Sequence, residues 1–208
     1  PRYSATFRAR QGGGSLAGNV NFNRGAMAYK ANLQASRLPL QNFLTQKGLH
    51  PLTGDVNISG WGTDILSPRT LVKASVNVKH FSYGSYNLDN ITAGTSIRNG
   101  HIHAAINSKN PLLMGLITLD ALASNRILRA TVGCDLQKAD LYGLRLTQDD
   151  VVASFCGHVD LASDLRNLYK VQGLVSDITV RQKGVNYRPE DVVMDVLTRR
   201  DTTHAVVD

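Results

Sequence analysis

A single glutamate, Glu190, stands in the whole chain, beside Asp191 in a stretch that Tyr187-Arg188-Pro189 marks as a loop. Adjacent carboxylates on a loop are solvated, and on a strand they would point to opposite faces, so neither placement supports paired acid and base chemistry. Asp149-Asp150 and the Asp160/Asp164 pair read the same way. There is no Gly-Xaa-Ser-Xaa-Gly elbow, no phosphate loop ending in Gly-Lys-Ser/Thr and no His-Glu-Xaa-Xaa-His. Gly12-Gly13-Gly14 lacks that ending and has strand-like flanks, so it reads as a turn. Nothing here argues for an enzyme, and no catalytic residue or cofactor is expected.

Cysteine and tryptophan are equally sparse. Cys134 and Cys156 alone cannot build a disulfide framework or a four-ligand metal site. They read as small buried apolar residues, with one disulfide as the alternative. Trp61 is the only tryptophan, and Gly60 and Gly62 beside it suggest a turn or close packing rather than an aromatic platform for sugars. A surface adhesin or carbohydrate module is therefore the least favoured reading. Long apolar runs are missing too. Residues 1 to 16 hold no continuous apolar stretch, and nothing approaches the ~18 residues of a spanning helix, so any targeting or anchoring element is expected outside this sequence. The net charge is +7 with a pI near 9.6, yet only Arg199 and Arg200 are adjacent and no basic run interleaves with aromatics. Nucleic acid is not expected as a partner.

What is present is alternation. The 208 residues are 42% hydrophobic and include 18 glycines, a composition that suits pleated strands separated by tight turns. Val72, Ala74, Val76 and Val78 alternate with Lys73, Ser75, Asn77 and Lys79. Ala130, Val132, Cys134 and Leu136 alternate with Arg129, Thr131, Gly133 and Asp135. Each is a strand with one apolar face. Asn99-Gly100, between two alternating segments in 91 to 106, predicts a two-residue type I′ hairpin turn. His101 and His103 follow it on one face; with no further ligand in view they are expected to face solvent, with no metal.

One short pattern recurs four times: Gly, any residue, Val or Ile, any residue, a large apolar residue. The copies begin at Gly18, Gly54, Gly115 and Gly157, 36, 61 and 42 residues apart. A second strand follows each one: Tyr29 to Leu33, Val72 to Val78, Leu128 to Val132 and Tyr169 to Gly173. The uneven intervals exclude a fixed-coil solenoid and predict a long antiparallel meander. Two insertions, Ser36 to Leu44 and Gln137 to Leu144, carry apolar residues three to four apart and are expected to form short helices or turns plugging the sheet's open side. Leu165, Leu168 and Tyr169 suggest another such turn. The expected fold is all-β, a meander curled into an open trough with an apolar interior, running through 1–208 as one segment; a closed β-sandwich is the alternative.

The residues that would line the trough are Val20, Phe22, Val56, Ile58, Val72, Ala74, Val76, Ile117, Leu119, Ala130, Val132, Leu136, Val159 and Leu161.

The longer phrases carry a resemblance. Leu66-Ser67-Pro68-Arg69-Thr70, Tyr83-Gly84-Ser85-Tyr86-Asn87-Leu88-Asp89-Asn90-Ile91, Cys156 to Leu161 and Tyr187 to Val193, together with the Gly-Xaa-Val-Xaa-Leu strands, resemble the repetitive C-terminal half of TamB-like translocation and assembly proteins of the AsmA/TamB family, in Bacteroides-type versions. The resemblance covers nearly the whole chain. It implies a groove holding phospholipid acyl chains, in a periplasmic protein anchored to the inner membrane of a diderm bacterium. It also implies phospholipid transport between the inner and outer membranes and outer-membrane biogenesis, with a BamA-type barrel partner bound through regions outside this segment. The alternative it leaves is a scaffold or chaperone for outer-membrane protein assembly.

Overall fold

The computed structural model describes residues 1–44, 48–64, 66–67, 69–124, 126–200 and 202–208. Pro68, part of the Leu66 to Thr70 phrase, lies outside the described residues. The fold is all-β, and the chain divides into two units, Pro1–Asn99 and Gly100–Asp208.

In the first unit the strands are β1 (Arg2–Gln11), β2 (Gly14–Asn23), β3 (Ala28–Leu38), β4 (Leu52–Trp61), β5 (Leu71–His80), β6 (Ser82–Tyr83), β7 (Tyr86–Asn87) and β8 (Ile91–Arg98). The order β1-β2-β3-β4-β5-β8 is an antiparallel meander, and β6-β7 form a small separate ribbon. In the second unit they are β9 (His101–Lys109), β10 (Leu113–Ala123), β11 (Leu128–Asp140), β12 (Val151–Ser163), β13 (Leu168–Gln182), β14 (Val185–Tyr187), β15 (Val192–Arg199) and β16 (Thr202–Val207). The order β9-β10-β11-β12-β13-β15-β16 is again an antiparallel meander, with β14 folded back on β13. Neither path returns to its own first strand. The meander in each unit is an open sheet.

Turn chemistry explains the connections. Gly12 and Gly13, at φ 54° and 79°, make the two-residue link from β1 to β2. Asn99 and Gly100, at φ 52° and 73°, have the two positive angles that a type I′ turn requires. Two of the repeat's glycines have a different job. Opposite Gly54, β5 carries one extra residue, because Gly54 pairs Val78 while Thr53 pairs His80. Opposite Gly115, β11 does the same, because Gly115 pairs Leu136 while Met114 pairs Lys138. A Cβ would run into the Asn77 carbonyl oxygen at Gly54 and the Asp135 carbonyl oxygen at Gly115. These glycines let a bulged partner strand approach.

The two insertions share an entry. Ala35 pairs Gly54 and Leu38 pairs Leu52; Leu136 pairs Phe155 and Ala139 pairs Ala153. Each strand thus bulges by one residue before its chain leaves the sheet. The first insertion then makes a single 3₁₀ turn, Leu40–Asn42. In the second, Gln137 to Asp140 remain strand and the turn starts only at Leu141, which corrects the expected boundary. Asp140 holds it: its side chain accepts from the Gly143 N–H at 2.8 Å and its carbonyl from the Leu144 N–H at 2.9 Å.

Three further expectations need correcting. Leu168 and Tyr169 open β13 rather than belonging to a turn, because the Asp164 carboxylate accepts the N–H groups of Arg166, Asn167 and Leu168 at 2.8–2.9 Å and closes the turn in four residues. Trp61 is neither in a turn nor closely packed: it ends β4 and is half exposed. The cysteines are half-buried and both free, not buried or bonded.

Candidate functional site

Cross-strand partners in a sheet share a face, so the register converts alternation into rows. In the first unit one face carries four rows across β1, β2, β3, β4, β5 and β8. They are Tyr3–Phe22–Tyr29–Gly60–Val72–Ile97, Ala5–Val20–Ala31–Ile58–Ala74–Thr95, Phe7–Gly18–Leu33–Val56–Val76–Ala93 and Ala9–Leu16–Ala35–Gly54–Val78–Ile91. No charged side chain stands in any of them. Val20, Phe22, Val56, Ile58, Val72, Ala74 and Val76 are all on this face.

The second unit repeats the arrangement. Its apolar face carries Ile106–Ile117–Cys134–Gly157–Val175–Val192, then Ala104–Leu119–Val132–Val159–Gly173–Met194–Val207, then Ile102–Ala121–Ala130–Leu161–Val171–Val196–Ala205. Leu136, paired with Gly115 and Phe155, extends it beyond Cys134. Ile117, Leu119, Ala130, Val132, Leu136, Val159 and Leu161 therefore share one face as well. The signal for β1 and β15 was weaker, since neither belongs to one of the four expected hairpins; Tyr3, Phe7 and Val196 join the rows only through register, as does Val175, beyond the strand expected over Tyr169 to Gly173.

These faces are uncovered. Among the described residues no Val, Leu, Ile, Met, Phe, Tyr or Trp is buried, and Ala139 and Pro39 are the only buried apolar side chains. Val20 is 38% exposed, Ile117 41% and Val132 37%. The accessible surface is 13969 Å². Two closed globular units of half this mass would together expose about 11,500 Å². The excess agrees with sheets that have water on both sides.

Near one end of the first unit's apolar face the insertion does meet the sheet. Leu38, Leu40, Phe43 and Leu44 line a cleft of about 390 Å³ with Ala9 and Leu16. Phe43 and Leu44 stay more than half exposed there.

The opposite faces carry the polar and charged side chains, together with Trp61 and Leu71 in the first unit and Leu116, Leu122, Leu174, Val193 and Leu197 in the second. In the second unit His103 Nδ1 lies 2.6 Å from Asp120 Oδ1, directly across the strand pair, and both are exposed. His101 shares that face. The sequence spacing hid Asp120, which sits in the next strand. Further along, the Asp160 carboxylate accepts from Thr131 Oγ1 at 2.6 Å and pairs with His158 Nε2 at 2.9 Å. Those two hydrogen bonds, Thr131 first, hold the Asp160 carboxyl below its ordinary value. Among the described residues no three or more His, Cys, Asp and Glu side chains converge on a common point. Glu190 and Asp191 are exposed between β14 and β15.

No helix among the described residues is long and apolar enough to cross a membrane. Comparisons with family models, curated proteins and solved structures find no match to this chain.

Proposed function

We propose that the apolar sheet faces bind phospholipid acyl chains, and that the chain is a segment of a TamB-like envelope protein that moves lipid between the inner and outer membranes. One observation carries this reading: rows of Val, Ile, Leu, Phe and Ala, free of charge, stand on faces with no protein layer over them. An apolar face of this extent calls for an apolar occupant. An acyl chain laid on it gains about 0.8 kcal/mol for each CH₂ removed from water. Successive strands offer near-equivalent rows, so a chain slides without meeting a deep trap. In that reading the protein works in the periplasm, held by an inner-membrane anchor and meeting a BamA-type barrel through other regions.

A second reading has one observation in its favour. β14 is exposed throughout, and among the described strands it pairs only with β13. An edge of that kind suits pairing with client strands in outer-membrane protein assembly.

Lipid extraction and mass spectrometry on the chain purified from cells without detergent separates the two. Stoichiometric phospholipid, lost in Val76→Asp and Val132→Asp, is the expected result. A lipid-free chain, crosslinked through β14 to client strands whether or not the groove is charged, would replace it with the scaffold.

A further inference from the structure

The polar face of the first unit is not a neutral backing. Pro1–Asn99 contains eleven Lys and Arg against three Asp, whereas Gly100–Asp208 contains twelve against thirteen Asp and Glu. The whole positive excess sits in the first unit. Among the described residues none of its Lys or Arg takes part in an ion pair.

Register again orders the side chains. A central row, Thr6–Asn19–Asn32–Asn57–Ser75, crosses five strands. Neighbouring strands lie about 4.8 Å apart, so the row presents hydrogen-bonding groups over roughly 19 Å. Asn32 Nδ2 donates to Asn19 Oδ1 at 2.8 Å, which aligns two of the amides and leaves each with further capacity. Two residues along the strands on one side stand Lys30 and Lys73, both exposed and separated by Ser59. On the other side stand Arg8 and Asp55, the latter accepting from Asn77 Nδ2 at 3.1 Å. The face is also hollow. Arg8, Asn19, Asn32, Gln34, Asp55 and Asn57 are among the residues lining a depression of about 720 Å³. Asn32 and Asn57 also line a smaller one of about 170 Å³ with Lys30 and Lys73.

We propose that this face binds a linear acidic glycan, laid across the strands along the amide row. Amides and a carboxylate offer both donors and acceptors, which suits sugar hydroxyls, while the flanking cations suit carboxylate or phosphate substituents. Other polyanions fit less well. Trp61 stands on this face, half exposed and two residues beyond Ser59, but a single ring does not stack a run of unpaired bases. A hollow seats a flat anionic bilayer poorly. This surface is on the opposite side of the sheet from the apolar rows, so it stands or falls apart from the lipid proposal.

Isothermal titration of the full chain with an alginate oligosaccharide tests it, with maltoheptaose, polyglutamate, oligothymidylate and phosphatidylglycerol vesicles as comparisons. Alginate is expected to bind more tightly than all four. The triple variant R8E/K30E/K73E should lose binding by about tenfold or more. N32L/N57L, which keeps every charge, should weaken it several-fold, whereas Val76→Asp on the other face should leave it unchanged. The milder pair K30Q/K73Q stands in if the triple variant fails to fold. Equal binding of polyglutamate or oligothymidylate, or indifference to N32L/N57L, would overturn the glycan in favour of unselective charge attraction. Binding to vesicles alone would overturn it in favour of a bilayer.

Discussion

Cys134 pairs with Gly157 while Cys156 pairs with Asp135, so the two cysteines sit on adjacent strands, one residue out of step and on opposite faces of the sheet. Thiols on opposite faces of one sheet cannot be joined without rearranging the strands. Two free thiols per chain are therefore expected in a titration under non-reducing conditions, even after mild oxidation. Burial first, and then the neighbouring Asp135 and Cys156, push the Cys134 thiol above its ordinary value. A C156S chain, which retains only Cys134, should react with iodoacetamide at pH 8 more slowly than an unstructured thiol peptide.

The bulge glycines make an internal comparison. An added methyl at Gly54 or Gly115 meets a backbone carbonyl of the neighbouring strand, which cannot swing aside as a side chain does. Gly54→Ala and Gly115→Ala should each lower the unfolding free energy by about 1–3 kcal/mol. Gly94, within β8, is the counter-case: its nearest neighbour to an added Cβ is the Ala74 carbonyl at 3.9 Å. Gly94→Ala should stabilise by about 0.5–1 kcal/mol, because it removes backbone freedom from the unfolded chain at no steric cost. Urea denaturation midpoints of the three variants check the sign at each site.

These glycines also mark where sequence reading stops. Period-two alternation decides which residues of one strand share a face, and by that rule alone Val72 falls with Val76, and Ala130 with Val132. The meander followed from hairpins in series. Alternation says nothing about which residue of the next strand lies opposite. The bulges at Lys79 and Gln137, the Asp120 carboxylate across from His103, and the continuous Asn19–Asn32–Asn57 row all depend on that register. The Leu168-Tyr169 turn failed for a related reason. Its apolar spacing fits a helical turn, but the three N–H groups captured by Asp164 return the chain to extended geometry sooner.

Asp164 links that turn to pH. Its carboxylate accepts first the Leu168 N–H and then those of Arg166 and Asn167, and these bonds hold its pKa below the ordinary 3.8. A carboxyl lowered in the folded state contributes stability above its unfolded value and loses it as pH falls through the folded value. Asp164→Ala should thus lower the Tm by a few degrees at pH 7. The gap between variant and parent should narrow on acidification below pH 3.8, where the parent loses the same bonds. Thermal melts across an acid series read this directly. A constant gap down to pH 2 would assign the effect to the turn's backbone geometry and not to the charge.

An uncovered face tolerates charge that a core does not. In a closed core, an aspartate in place of valine would cost several kcal/mol, because a charge would be stranded away from water. Val132, 37% exposed between Leu119 and Val159, has solvent beside it already. Val76, half-buried between Val56 and Ala93, stands in the same kind of row. Val76→Asp and Val132→Asp should each cost only about 1 kcal/mol and leave the β-type circular dichroism intact. The two together should greatly reduce the fluorescence of a hydrophobic dye bound to the lipid-free chain, since each places a charge in the middle of a continuous apolar row. Stability and dye binding thus part company on an open face. If instead each substitution unfolds the chain, the rows are covered in solution, and the space above them belongs to a core, not to a ligand.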